Sequence, residues 1–399
     1  MIPRSGGAAG DGRRRNGGRA IMDGAKRGGW PLGLFGMLAL IGAAELAVSR
    51  WMDLVAPPLV MDWRATRRAA AREAVGCDVL CFGSSMVKNG VLPAVIEAGS
   101  GRRGYNLALP GGPPASAYFL LRRALDHGAR PSAVVVDFHH QRLPVDPCAA
   151  ENVAAWAQLL GPVEAFELTR RQRDPGDFPR LLVACLVPTV RVRLEIRAAV
   201  LGALGGRPVS QRDRGAAYAR NRRVNRGAVV IPKAPAFQDL SGPSGSAGGE
   251  AGWWCHPVNA HFLRRFLDLT GERGVAVFWL MPPLSPGYQA RIDGTRGVET
   301  YLRLVRRLVG RYPHLTVLDG RHAGLPATDF VDPVHLDKDG AAALSRSLAA
   351  VLGRTPGPPA GRWVELPPGR GASPGGGAGV EDVYQSASAV TARAGVARR

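Results

Sequence analysis

VLCFGSSMVKNGVLP, residues Val79 to Pro93, decides the fold. An apolar run stops at Gly83, two serines follow, and a helix-compatible stretch comes next. So short an apolar run suits a strand buried on both faces, and a strand that turns directly into a helix opens a parallel βα unit. The same pattern recurs outward along the chain. YNLAL (Tyr105 to Leu109), AVVVDF (Ala133 to Phe138), VAVFWLM (Val275 to Met281) and LTVLDG (Leu315 to Gly320) read as further buried strands, as does DVLCFG (Asp78 to Gly83) in full. Helical patterns, such as Ala115 to His127 and Val258 to Arg273, lie between several of them. Strands alternating with helices predict a parallel sheet wrapped by helices, with chemistry in the loops at the strand C-termini.

The flanks differ. Residues 1 to 29 are Gly/Arg-rich, with seven basic residues against two acidic ones, and are expected to be a disordered basic leader. The nineteen residues Trp30 to Val48 carry one ionisable group, Glu45, and are long enough for a transmembrane helix at about 1.5 Å per residue. A basic leader before a first span puts the N-terminus in the cytoplasm and the rest of the chain outside it, contacting membrane lipid through residues 30–48. Ala47-Val48-Ser49 has the small-x-small form of a cleavage site, so a cleaved signal peptide is the competing reading. Asp62 to Ala74 reads as an arginine-rich helix. The α/β domain is expected over 49–140 and 256–353, interrupted by an insertion at 141–255 with helical patterns at Glu151 to Leu160 and Phe178 to Leu204 and a Gly/Ser-rich stretch from Ser241 to Gly252. Arg191 to Arg226 holds ten arginines against Glu195 and Asp213, either as a solvated face or as a contact for anionic lipid heads or an acidic polymer. Residues 354–399 read as a disordered tail.

Composition removes several classes. With 46% hydrophobic and 21% charged residues the chain of 399 is not wholly disordered and can bury one large core or two modest ones. Its net charge of +20 is nearly all arginine, since Lys26, Lys88, Lys233 and Lys338 are the only lysines. That bias accompanies 52 glycines and 32 prolines, which points to genome composition, and no zinc-finger, helix-turn-helix or RNA-binding signature accompanies it, so nucleic acid is not expected as a partner. Five cysteines, an odd number without a CxxC pair, argue against a disulfide framework and a zinc site.

Two segments carry candidate chemistry. A serine on the turn after Gly83 presents its hydroxyl beside backbone N–H groups able to hold an oxyanion. FVDPVHLDKDG (Phe330 to Gly340) places Asp332 three residues before His335, and a carboxylate so placed can fix the tautomer that an imidazole needs to take a serine proton.

In this order on one sheet, the two segments resemble the SGNH/GDSL hydrolase superfamily over about residues 78–352 without the insertion. The resemblance implies a three-layer, flavodoxin-like α/β fold. Gly83-Ser84-Ser85 matches the family's Gly-Asp-Ser block and carries the nucleophile role to Ser85; Asp332-Pro333-Val334-His335 matches its Asp-x-x-His block. The second block's oxyanion glycine falls on Gly111, with Gly112 a near equal. The third block's asparagine has no counterpart after VVVDFHHQRL; His139, His140 or Gln141, or backbone N–H groups alone, would supply the hydrogen bond. Asp137 would orient one of the histidines or cap its loop. The Gly-Ser-Ser form, the anchor and the missing asparagine look most like the membrane-anchored proteins of alginate O-acetylation and teichoic-acid D-alanylation. The activity implied by this likeness is that of an extracytoplasmic O-acyl esterase or O-acyltransferase acting on an acylated glycan, needing no metal or cofactor, beside a membrane-bound O-acyltransferase partner. The alternative is a catalytically silent scaffold or glycan-binding subunit of the cell envelope.

Overall fold

The computed structural model describes residues 32–55, 58–172, 174–206, 212–233, 252–353 and 362–367. The basic leader 1–29, nearly all of the Gly/Ser-rich stretch and most of the tail lie outside the described residues.

Six parallel strands form one sheet: β1 (Val79–Phe82), β2 (Gly104–Asn106), β3 (Ala133–Val136), β4 (Ala276–Met281), β5 (Leu315–Asp319) and β6 (Trp363–Glu365), in the order β2-β1-β3-β4-β5-β6. Side chains alternate between the sheet faces. Leu80, Phe82, Val134, Val136, Val277, Trp279, Leu315 and Val317 enter one core, while Val79, Cys81, Val135, Phe278, Leu280 and Leu318 enter the other. This two-sided burial explains why the strands β1, β3 and β4 are continuous apolar runs in sequence.

Fifteen α-helices are described. In the chain order they are α1 (Leu32–Val55), α2 (Pro58–Ala71), α3 (Ser85–Gly90), α4 (Pro93–Ser100) and α5 (Pro114–Asp126), then α6 (Val153–Leu159), α7 (Pro162–Thr169), α8 (Asp177–Leu186), α9 (Pro188–Arg191), α10 (Arg193–Leu204) and α11 (Arg212–Val224) within the insertion. After it come α12 (Pro257–Glu272), α13 (Pro286–Ile292), α14 (Arg296–Arg311) and α15 (Lys338–Gly353). Prolines open α4, α5, α7, α9, α12 and α13, where a fixed φ helps and the missing N–H is no loss. Helices α3, α4 and α15 cover one face of the sheet; α2, α5, α12 and α14 cover the other. Trp156, Leu159, Leu168 and Leu181 of the insertion join this second core, so the insertion is packed into the domain.

Three expectations change. Trp363–Glu365, inside the segment read as a disordered tail, pairs in parallel with β5 and extends the sheet. The single helical pattern at Phe178 to Leu204 is three helices, because Pro188 cannot continue the helix before it and opens a new one. Strand β2 is also shorter than the YNLAL run, its ladder passing into single bonds from Leu107 N–H to Cys81 O (2.7 Å) and from Leu109 N–H to Gly83 O (2.9 Å).

Contacts divide the chain after Ala44. The described part of the first unit is the front of α1. Residues 33–50 of this helix are long and apolar enough to cross a membrane, and their large side chains are exposed, Leu40 at 74%. Within the second unit a buried ion cluster joins three elements. The Lys88 ammonium of α3 lies 3.0 Å from both carboxylate oxygens of Asp62 on α2, and Arg222 Nε of α11 lies 3.0 Å from Oδ1. Burial pushes the Lys88 pKa down to about 8, against the opposing pull of Asp62. Removing the only carboxylate of this cluster strands two cations. Asp62→Ala is expected to cost about 3–5 kcal/mol in chemical denaturation, and adding Lys88→Met to recover most of the loss.

Candidate active site

Gly83 ends β1 at φ +122°, a conformation open to glycine, and a Cβ there would overlap Asp137 Oδ1. The next residue, Ser84, caps α3: its Oγ accepts from Met86 N–H at 3.2 Å. Ser84 is turned inward, donating both its N–H to Asp137 Oδ1 and its hydroxyl to Oδ2, each at 2.5 Å. Ser85 then begins the helix with its hydroxyl on the other side of the turn.

That hydroxyl lies 2.8 Å from His335 Nε2, and His335 Nδ1 lies 2.7 Å from Asp332 Oδ2. A carboxylate facing Nδ1 selects the tautomer with its proton on that nitrogen, which leaves Nε2 to accept from Ser85. The second oxygen of Asp332 accepts from the N–H groups of Val334 (2.8 Å) and His335 (2.9 Å), a local turn that the Asp-Pro-Val-His spacing favours. Burial alone would raise the Asp332 pKa; the hydrogen bonds from His335 and Val334 outweigh it and hold the carboxyl below its usual range. The loop is fastened by Ser285 N–H to Pro333 O (3.0 Å) and by the bridge of Phe330 with Leu336. Met86, Leu284 and Tyr288 form a small apolar cluster with Val334 against it.

The structure separates the two glycines after β2. Gly112 N–H donates to Leu109 O at 2.8 Å and is spent. Gly111, at φ +69° in that turn, has its carbonyl held by Arg142 Nη2 at 2.9 Å, while its N–H has no acceptor among the described residues. The N–H of Ser85, at the first helical position, is also without one.

His139 and His140 are not joined by any hydrogen bond to Ser85, His335 or Asp332 among the described residues. They are buried with ring centroids 4.2 Å apart and line a cavity of about 20 Å³ with Tyr301, Gln289 and Arg321. Burial pushes the His139 pKa well below its ordinary value and that of His140 to about 4, so both rings are neutral. Gln141 is the residue after β3 whose side chain reaches the cluster beside the relay, its amide donating to the Tyr288 hydroxyl. Asp137 orients neither histidine; it holds Ser84.

One neighbour was missed by the sequence reading. Lys88 stands three residues beyond Ser85 on α3, a spacing that could suggest a serine–lysine pair. Its ammonium is engaged with Asp62. The signal was present in the sequence, but its partner lies 26 residues upstream. Among the described residues no group of three or more His, Cys, Asp or Glu side chains could hold a metal ion, and the five cysteines are free.

No protein-family model matches the chain, and no curated protein matches it.

The turn carries a prediction about pH. Desolvation raises the Asp137 pKa to about 6, only partly offset by its hydrogen bonds from Ser84 and by Arg142. The folded state therefore holds this proton more tightly than an exposed carboxyl of about 3.8. This group's contribution makes stability fall as pH rises from about 4 to about 6. Asp137→Asn should flatten that slope in denaturation curves taken at intervals across the range. Asp137→Ala should instead cost about 1–3 kcal/mol at neutral pH, because it leaves the buried Ser84 N–H without an acceptor.

Proposed function

We propose that the protein is a membrane-anchored serine O-acyl esterase or O-acyltransferase of the SGNH/GDSL type, acting on an acylated glycan outside the cytoplasm. The observation that carries the reading is the unbroken relay from Ser85 Oγ through both nitrogens of His335 to Asp332. Support also comes from the sheet. Its first five strands stand in the order 2-1-3-4-5 of flavodoxin-like folds, with ligands expected where β1 and β3 diverge. Ser85 follows β1 and Asp137 follows β3 at that point.

In the reaction, His335 Nε2 takes the Ser85 proton as Oγ attacks the acyl carbonyl, forming the C–O bond to the enzyme. Asp332 stays ionised and steadies the imidazolium. The N–H groups of Ser85 and Gly111 are the donors free to meet the oxyanion, with the Gln141 amide as the side-chain candidate. Collapse of the tetrahedral intermediate breaks the bond to the leaving alcohol, which receives the proton from His335. Water or a sugar hydroxyl then attacks the acyl-enzyme, giving its proton to His335, and Ser85 regains it as the free acid or new ester departs. An acyl donor supplied by a membrane-bound O-acyltransferase is consistent with an anchored domain.

Ser85→Ala and His335→Ala should each lower turnover of an aryl acetate and of an O-acetylated glycan about a thousandfold or more, with unfolding unchanged. Undiminished turnover by purified Ser85→Ala would overturn the relay as the catalyst, and a purified parent protein without turnover above background would favour a silent scaffold, the reading that the missing asparagine after β3 supports. For the topology, a reporter that is active only outside the cytoplasm should work when fused to Arg399. Signal from a cytoplasm-only reporter at the same position would overturn that orientation.

A further inference from the structure

The stripe of cations on α2 has no part in the relay. Arg67 and Arg68 stand three and four residues beyond Arg64 on one face of α2, and Arg72 follows in the turn after the helix, while Asp62, Thr66, Ala69 and Ala70 are buried on the other face. The stripe forms one wall of a cavity of about 710 Å³, and Arg123 of α5 and Arg191 of α9 form others. Six guanidinium groups thus face one space of a size that suits a small ligand.

One carboxylate is shared among several of these charges. Arg123 pairs with Glu164 at 2.7 Å, yet its Nη1 is buried with no hydrogen-bond partner among the described residues. Arg191 spends Nε and Nη2 on the carbonyls of Ala184 (2.9 Å) and Cys185 (2.6 Å), which fixes its position without cancelling its charge. Arg67, Arg68 and Arg72 make no ion pair among the described residues. Like charges held together in a concave site repel, and a multivalent oxyanion relieves that repulsion. The planar guanidinium fork matches phosphate oxygens bidentately.

The wall carrying Arg191 also fixes the height of the cavity. Two residues earlier, Thr189 donates its N–H at 2.8 Å and its hydroxyl to the carboxylate of Glu45. Glu45 lies in the apolar stretch 33–50, five residues from its end, or about 7.5 Å along a helix. Val192 and Ile196, on the same side of this segment, pack with Val48. In an anchored chain α9 therefore stands where the span leaves the hydrocarbon, at the depth of lipid phosphates. Nearby on α10, Val200, Leu201 and Leu204 are exposed at 52%, 57% and 81%, apolar surface that suits the boundary of acyl chains.

We propose that this arginine-lined cavity binds the phosphate of an anionic lipid headgroup. The phosphate chemistry comes from the cavity; the lipid source rests on the anchored reading above. Among the described residues the hydrogen bonds of Arg123 and Arg191 run to Glu164, Ala184 and Cys185 and not to Ser85, His335 or Asp332, so occupancy and ester turnover can be read separately.

The test uses the full chain in a neutral detergent, with thermal unfolding followed during titration with dioctanoyl phosphatidylglycerol. Dioctanoyl phosphatidylcholine serves as the zwitterionic control, and inorganic phosphate and glycerol 3-phosphate as soluble sources. A saturable rise in Tm with the anionic lipid is expected, weakened about tenfold or more in apparent affinity by the pair Arg67→Gln and Arg68→Gln. Both positions lie on the partly exposed side of α2, and the unliganded Tm and ester turnover of that variant should match the parent. The pair Arg67→Lys and Arg68→Lys should fall between the two, since charge remains and the fork is lost. Arg307→Gln, exposed on α14, should leave the titration unchanged. No saturable shift, or one that survives the double substitution, would overturn the site. An equal response to inorganic phosphate would overturn the lipid source and assign the cavity to a soluble phosphate. Loss of turnover in Ser85→Ala bears on the catalytic reading alone.

Discussion

One carboxylate buried between the ends of two neighbouring strands holds the turn on which the candidate site depends. Asp137 follows β3, Gly83 and Ser84 follow β1, and the two Ser84 bonds to Asp137 continue across the gap where the sheet ladder stops. Ser84 is thereby committed to the interior, and chain direction alone then sends the Ser85 side chain to the opposite side. Gly83 has no alternative, because the carboxylate occupies the space that a side chain would need. The arrangement also sets a cost: a desolvated carboxyl pushed to about 6 is retained where a neutral amide would be easier to bury. As a carboxylate it accepts the Ser84 N–H on one oxygen and the Ser84 hydroxyl on the other, whereas an amide has a single oxygen to serve both.

A second buried carboxylate fixes the helix that leaves this turn. Asp62 holds Lys88 on the inward side of α3, and through Arg222 it ties the end of the insertion to the same point. Val229 N–H adds a bond to Lys88 O at 3.0 Å. The insertion is therefore fastened at both ends of the functional region, by Trp156 and its neighbours in one core and by Ala228 and Val230 in the other. Any movement of α11 would be felt by the helix that starts at Ser85. Such mechanical linkage explains how a segment inserted between two halves of a sheet can share their stability.

Much of this was legible in the sequence, for identifiable reasons. The strands β1, β3, β4 and β5 announce themselves because burial on both faces demands unbroken apolar runs. The serine and the Asp-x-x-His loop stand out because their geometry is local: strand, glycine, serine in one case and a three-residue turn in the other. Trp363–Glu365 has neither signal. It is three residues long, lies at the sheet edge and is partly exposed, so nothing in its composition separates it from its Gly/Pro-rich surroundings. The orientation of the histidines after β3 was not legible for a different reason. Position after a strand says which loop a residue occupies but not which way its side chain turns, and the aromatic pocket around Tyr301 draws both rings inward. Asp137 and Lys88 were visible as residues, but their partners come from other elements, and no local pattern reveals such pairing.

The relay does not by itself distinguish hydrolysis from transfer, since His335 accepts a proton equally from water and from a sugar hydroxyl. In the proposed chemistry the two would differ in which nucleophile can reach the acyl-enzyme. Gly111 faces a cavity of about 480 Å³ whose opposite wall is the insertion, from Ala150 to Ala155 and on to Arg180, Arg191 and Arg193. Its other side is lined by Val60 and Trp63 of α2 and by Pro110 and Gly111 after β2. In the proposed chemistry Gly111 would bring an oxyanion donor to the edge of that cavity, and the insertion would be the segment placed to select an acceptor hydroxyl. Arg191 borders both this cavity and the arginine-lined one, so the wall that would meet the acceptor is the same wall that Thr189 fastens to Glu45. In the proposed chemistry one short helix, α9, would then link acceptor choice to membrane depth, and the acceptor it favours would be one presented close to the bilayer.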